Sequence, residues 1–249
     1  MKLLIDVGNT LCKYVTFQQG ELSVIKSIET HLINQQWLAE NFPIVEQCIV
    51  SNVNDSNLNQ IITSWCESER IDYCFVESEA EKFNIRCAYD DPSTFGVDRW
   101  LGLIGASTLF PNQATLIIDA GTATTIDLLT SSGIHQGGWI LPGINLMFSS
   151  LVQNTKKVFA TPKNINQIAF ANNTTDAVNQ ANWAATIGCI NTAIKTAHEQ
   201  YLPEDDTLLI VLTGGNAAKL KQLMTVECEF IEKLIFVGMN RYNANKGLK

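Results

Sequence analysis

The sequence has few of the residues that build metal centres and disulfide frameworks. There is no C-x-x-C pair, and the seven cysteines, at 12, 48, 66, 74, 87, 189 and 228, are scattered and odd in number. That excludes a zinc ribbon or disulfide scaffold and makes reduced thiols the expectation. The three histidines, His31, His135 and His198, lie far from one another and from any cysteine at ligand spacing, so each is assigned to surface or packing. Basic residues are also sparse: 17 Lys and Arg against 25 Asp and Glu give a net charge of -8 and a pI near 4.9. This argues against nucleic acid or an anionic membrane as partner and suits a small-molecule substrate. No stretch approaches the roughly 20 apolar residues of a membrane helix. Asp6 interrupts the N-terminal apolar run before a signal-peptide core can form, so a cytoplasmic protein is expected. Two nucleotide loops are missing as well, since neither G-x-x-x-x-G-K-[ST] nor a strand followed by G-x-G-x-x-G occurs.

What is present is enough apolar material, 46% of 249 residues, for one large domain or two modest ones. Apolar runs predict strands over 2–5, 11–17, 48–53, 114–118 and 208–212. Helical periodicity covers 58–69, 100–109 and 176–200. Alternation of this kind predicts an α/β protein.

The clearest internal signal is a repeat. "LLIDVGNTLCKYVTF" near the start is matched by "LIIDAGTATTIDLLT" in the middle: an apolar strand, Asp-x-Gly, small polar residues and a second strand. Asp119 follows Asp6 by 113 residues, about one small domain. The expectation is two halves of related fold, 1–112 and 113–249, divided where "LFPNQ" supplies Pro and Asn.

Two strand-turn-strand units of this type suit phosphate chemistry. Glycine permits close backbone approach and turn N–H groups can point at an anion. Carboxylates are unsuited to touch phosphate directly and make sense when a Mg²⁺ or monovalent ion sits between. Lys13 lies seven residues beyond Asp6, and strand alternation places it away from Asp6 unless the turn changes the register. Its spacing fits a phosphate-reaching lysine and a solvated one alike.

The segments "DVGNTLCK", "DAGTATTID" and "LTGGNA" resemble the three nucleotide-contact segments of the acetate and sugar kinase, Hsp70 and actin superfamily. Within it, "GVDR" at 96–99 and "GGWILPG" at 137–143 resemble the type III pantothenate kinases. The resemblance implies a duplicated ribonuclease-H-like (actin-like ATPase) fold with a cleft between the halves. It also implies ATP-dependent phosphorylation of pantothenate, the first step toward coenzyme A, by a homodimer.

The same resemblance assigns roles. Asp98 is the general base, and Tyr89, Gly96, Val97, Arg99 and Thr174 lie at the substrate, Thr174 reaching it from a partner subunit. Asp6 organises Mg²⁺, directly or through water. Val7, Gly8, Asn9, Thr10, Leu11, Cys12 and Lys13 form the phosphate turn, and Thr122, Gly214 and Gly215 contact ATP. Asp119 holds a monovalent cation, K⁺ or NH₄⁺. Structural alternatives stand beside these: Asp98 and Thr174 each fit a helix cap, Arg99 a surface ion pair, Tyr89 plain packing, and Gly137, Gly138, Pro142, Gly143, Gly214 and Gly215 plain turn chemistry. The end, "LIFVGMNRYNANKGLK", carries no assigned role. Two rival readings remain: another ATPase or small-molecule kinase of the superfamily, and a non-catalytic accessory factor for transcription.

Overall fold

The computed structural model describes residues 1–8, 10–52, 56–204 and 206–244. They form two units, each with its own mixed sheet. Among the described residues no helix is long and apolar enough to cross a membrane.

The first unit takes 1–83, 89–109 and the C-terminal residues from 233. Its central strand, Lys2–Val7, is buried at Leu3, Leu4 and Ile5, as a strand covered on both faces must be. It pairs antiparallel with Leu11–Gln18 and parallel with Gln47–Asn52, which pairs parallel with Asp72–Phe75. Glu21–Leu22 and Lys26–Glu29 both extend Leu11–Gln18.

Alternation sends Leu3, Ile5 and Val7 into a core with Leu38 of helix Gln35–Asn41 and Ile62 and Trp65 of helix Ser56–Glu69. Leu4 and Asp6 therefore point to the other face. Helices Val97–Leu109 and Leu234–Asn240 pack together there, a contact that only glycine permits. A Cβ on Gly105 would lie 2.2 Å from the Leu234 carbonyl oxygen, and one on Gly238 2.2 Å from that of Leu101.

The second unit takes 84–88 and 110–232. Strand Ala114–Ala120 pairs antiparallel with Ala123–Leu129 and parallel with Leu208–Thr213. His135–Pro142 and Glu229–Phe230 complete the two edges. Helix Thr174–Gln200 covers this sheet through Trp183, Ile190 and Ala197. Each unit thus has a central strand with its hairpin partner and a third antiparallel strand on one side and two parallel strands on the other. The duplication read from the two Asp-x-Gly turns is this shared strand order.

The division by chain order at residue 112 differs from this grouping at both ends: 84–88 join the second unit, and 233–244 join the first by packing on helix Val97–Leu109.

Candidate active site

The site in the first unit starts from register. The turn after Lys2–Val7 closes with the Gly8 N–H donating to the Leu11 carbonyl at 3.1 Å, and a Cβ on Gly8 would meet that oxygen at 2.8 Å. The hairpin this creates pairs Asp6 directly with Lys13. The exception attached to the alternation argument is thus the case that holds: the turn resets the register, and directly opposed residues of an antiparallel pair share a face. On the other side Asp6 lies level with Ser51 of Gln47–Asn52. Lys13, Asp6 and Ser51 form a row across three strands, on the face covered by the Asp98-bearing helix.

Electrostatics follow from that row. Burial pushes the Asp6 carboxyl up to about 6, the Ser51 hydroxyl and the Lys13 ammonium pull it back, and the charge of Asp98 adds to the rise. Ser51 Oγ is fully buried and lies near enough to Asp6 to favour the charged carboxylate, with no better-placed partner among the described residues. Val7 and Cys12 point into the core, so their side chains are withdrawn from any phosphate; burial, with the charge of Asp6, pushes the Cys12 thiol up to about 12. Thr10 and Leu11 are exposed, and Thr30 Oγ1 donates to the Gly8 carbonyl at 3.0 Å. Asn9 lies outside the described residues.

Asp98 stands in the first turn of helix Val97–Leu109, where Oδ1 accepts from the Arg99 backbone N–H at 2.8 Å. Asp98 is therefore inside the helix rather than its N-cap, and the same carboxylate lies near enough to Asp6 to raise its pKa. A side chain on Gly96 would approach that oxygen to 2.6 Å, so glycine there leaves the carboxylate room. Arg99 is buried, not the surface cation of the structural alternative. Its Nη1 donates to Tyr89 Oη at 3.0 Å, and its guanidinium lies 4.7 Å from the Phe95 ring centroid. Tyr89 and Phe95 themselves pack 4.9 Å apart.

In the second unit Asp119 holds the position in its sheet that Asp6 holds in the first, but with different neighbours. Its hairpin partner is Thr125 and its parallel partner Thr213. The Asp119 carboxylate fills the space beside Gly214, whose φ is +90° and whose Cβ would lie 2.3 Å from Oδ1. Gly143 is wedged against the 121–122 turn: its N–H donates to the Thr122 carbonyl at 3.0 Å, and a Cβ would lie 2.4 Å from the Gly121 carbonyl oxygen. Asp119, Gly121, Thr122, Gly143 and Gly214 therefore converge, while Thr122 and Gly215 are exposed at the turns.

Thr174 opens its helix exposed, and the cap is Asn173, whose side chain accepts from the Asp176 N–H at 2.9 Å. Gly138 and Trp139 are exposed on strand His135–Pro142. His135 is buried: Nδ1 accepts from the Ala88 N–H at 3.3 Å, leaving Nε2 to donate to Asp127 Oδ1 at 3.0 Å, which is packing as expected.

Sequence reading missed Ser51 and Phe95. For Ser51 a signal existed, since "CIVS" ends an apolar strand in a polar residue just as "LLID" does. Phe95 looked like any apolar residue before a glycine.

Among the described residues no group of three or more His, Cys, Asp or Glu gathers in one place. Mg²⁺ does not need one, because it is usually bound by one or two carboxylates together with substrate phosphates and water. The Asp6 and Asp98 carboxylates, with the buried Ser51 hydroxyl beside Asp6, fit that habit. Around Asp119 the flanking side chains bring only hydroxyl oxygens, a donor set suited to a hard cation.

The family model described as type III pantothenate kinase matches residues 2–196. A type III pantothenate kinase of Colwellia psychrerythraea is 42% identical over 252 residues, covering 97% of this chain and 100% of the relative. One of Pseudoalteromonas translucida is 38% identical over 254 residues, covering 99% and 100%. Among solved structures, a Campylobacter jejuni protein described as a Baf family transcriptional activator superposes with a TM-score of 0.61 at 22% identity, covering 96% of each chain. A Sinorhizobium meliloti protein described as a 2-dehydro-3-deoxygalactonokinase superposes at 0.59 and 11% identity, covering 97% of each. These two likenesses carry the fold, which is that of the sugar kinases, as the duplicated sheets indicated. The chain belongs to the type III pantothenate kinase family.

Proposed function

We propose that this chain transfers the γ-phosphoryl group of ATP to the primary hydroxyl of pantothenate, giving 4'-phosphopantothenate and ADP. The observation that carries the reading is the gathering, within one unit, of the Lys13, Asp6 and Ser51 row with Asp98 at a helix start and with a buried Arg99 held by Tyr89 and Phe95. Phosphoryl transfer asks the protein for positioning and charge neutralisation rather than covalent chemistry. Asp98 accepts the hydroxyl proton as the oxygen attacks the γ-phosphorus. The bond from that phosphorus to the β,γ-bridging oxygen breaks, and ADP leaves with the electron pair. Arg99 presents its planar fork to the substrate carboxylate. Tyr89 fixes the fork, and Gly96 and Val97 bring backbone close to the substrate.

Asp6 holds Mg²⁺, directly or through water, with the 8–13 turn and Lys13 on the phosphates. The bound ion supplies neutralisation of phosphate charge. Asp119 holds a monovalent cation, and Thr122, Gly214 and Gly215 bound the nucleotide. The working form is a cytoplasmic homodimer in which Thr174 reaches the substrate of the other copy.

Release of ADP by the purified chain, measured with ATP and Mg²⁺, with and without pantothenate, tests the assignment, together with the mass of the product. ADP that appears regardless of pantothenate points to an ATPase or another acceptor. No turnover by a folded sample favours the accessory-factor reading. Asp98→Asn should bind pantothenate within a few-fold of the parent yet lose about 10²- to 10⁴-fold in turnover. Activity within a few-fold of the parent would remove Asp98 from the mechanism.

A further inference from the structure

We propose that Phe95 is a positioning residue, whose ring face sets the Arg99 guanidinium in the orientation from which it grips the anionic end of the substrate. This rests on the reading of Arg99 given above. The geometry begins with the backbone. Asp91 caps the short turn Pro92–Thr94 by accepting from the Ser93 N–H at 3.0 Å. The Phe95 N–H donates to the Pro92 carbonyl at 3.0 Å, and Ser78 Oγ donates to the Phe95 carbonyl at 2.8 Å. Phe95 is thus tied on both sides of its peptide, and its side chain is 2% exposed.

Against this fixed ring lies Arg99, itself 7% exposed, with its guanidinium carbon 4.7 Å from the Phe95 centroid and 5.7 Å from that of Tyr89. An arginine this deep loses much of its hydration, and the negative face of an aromatic ring returns part of that attraction. The Tyr89 hydroxyl accepts from Nη1 at 3.0 Å and fixes one edge of the fork, while the Phe95 face fixes its plane. A leucine at 95 would fill similar space but offer no such face. Phe95 packs on the Arg99 guanidinium and on the Tyr89 ring that holds it, so its influence on substrate passes through these two side chains.

Replacing Phe95 by 4-fluoro-, 3,5-difluoro- and 3,4,5-trifluorophenylalanine separates this role from packing, because each fluorine withdraws density from the ring face while shape barely changes. Pantothenate and its alcohol analogue pantothenol, which lacks the carboxylate, are titrated calorimetrically into the full chain with Mg²⁺ and a non-hydrolysable ATP analogue. The expected result is a stepwise rise in the pantothenate Kd, reaching about tenfold at the trifluoro ring, with pantothenol changed less than about twofold and Tm lowered by no more than a few degrees. Phe95→Leu should weaken pantothenate at least as much. A flat series, or equal weakening of both ligands, overturns the role of Phe95. A parent chain that binds no pantothenate overturns the functional reading itself, and the proposal with it.

Discussion

Replacing Asp6 with asparagine removes a charge that the fold forces out of water. In the unfolded chain the carboxyl loses its proton near 3.8, and in the folded chain near 6, because desolvation and Asp98 outweigh the help of Ser51 and Lys13. Between those values the folded state holds a proton that the unfolded state has released. Stability therefore falls as pH rises through the window, and the whole penalty is present above it. Two units at 1.36 kcal/mol each give about 3 kcal/mol. The carboxyl keeps some contact with solvent, and an amide forgoes the attraction of Lys13, so the gain at neutral pH should be about 1 to 3 kcal/mol. For a chain of this length that is roughly 2 to 10 °C in Tm.

Urea unfolding at pH 4 and pH 7.5, followed by fluorescence of Trp37, Trp65 and Trp100 in the first unit, reads the effect in the absence of Mg²⁺ and nucleotide. Other carboxylates titrate over the same range, so the informative quantity is the difference between parent and variant. That difference should be near zero at pH 4 and favour Asp6→Asn at pH 7.5, while turnover collapses. A variant less stable than the parent at pH 7.5 would show that the charge is not a burden, and the account of Asp6 as a destabilised functional carboxylate would fail.

Gly214→Ala combines a left-handed φ of +90° with contacts of 2.3 Å to Asp119 Oδ1 and 2.8 Å to the Ala120 backbone, so it should lower stability by about 3 kcal/mol or more, read as a drop in Tm. Gly215→Ala, where a Cβ meets nothing within 4 Å, should be tolerated and serves as the control. Tyr242→Phe leaves the buried Trp100 Nε1–H without the acceptor it now reaches at 2.9 Å and should cost about 1 to 3 kcal/mol, read by chemical denaturation.

Much of the fold was legible because strand ends announce themselves. "LLID" and "LIID" end apolar runs in an acid with glycine two residues on, and both runs prove to be central strands. What sequence could not supply was register. Simple alternation places Lys13 away from Asp6 unless the turn changes the register, and the closed turn, with Gly8 bonded to Leu11, is what brings it opposite. The helix cap at 173 was likewise one residue from the threonine singled out, since Asn, Asp, Ser and Thr compete for that position on nearly equal terms. The C-terminal segment gave no signal because its role is packing across long sequence separation. Lys2 Nζ donates to the Tyr242 carbonyl at 2.8 Å, a contact between the two ends of the chain that no local pattern encodes.

The two halves also show how duplication can separate function without altering topology. Asp6 and Asp119 occupy equivalent places in equivalent strands, so backbone geometry alone assigns them no different chemistry. Their neighbours in register do. Asp6 has a lysine on one side and a serine on the other, and a second carboxylate near enough to raise its pKa. The surroundings therefore hold charges of both signs, which suits a place where phosphate and its counter-ion are managed together. Asp119 has threonine on both sides and glycine backbone packed on its carboxylate. That is an oxygen-rich setting with no ammonium at the flanking register positions. A lysine at position 125 would supply such a charge and compete with any cation for the same carboxylate. The difference between Lys13 and Thr125, at one register position, gives two copies of one turn two different electrostatic settings, as the two ionic roles proposed for them require.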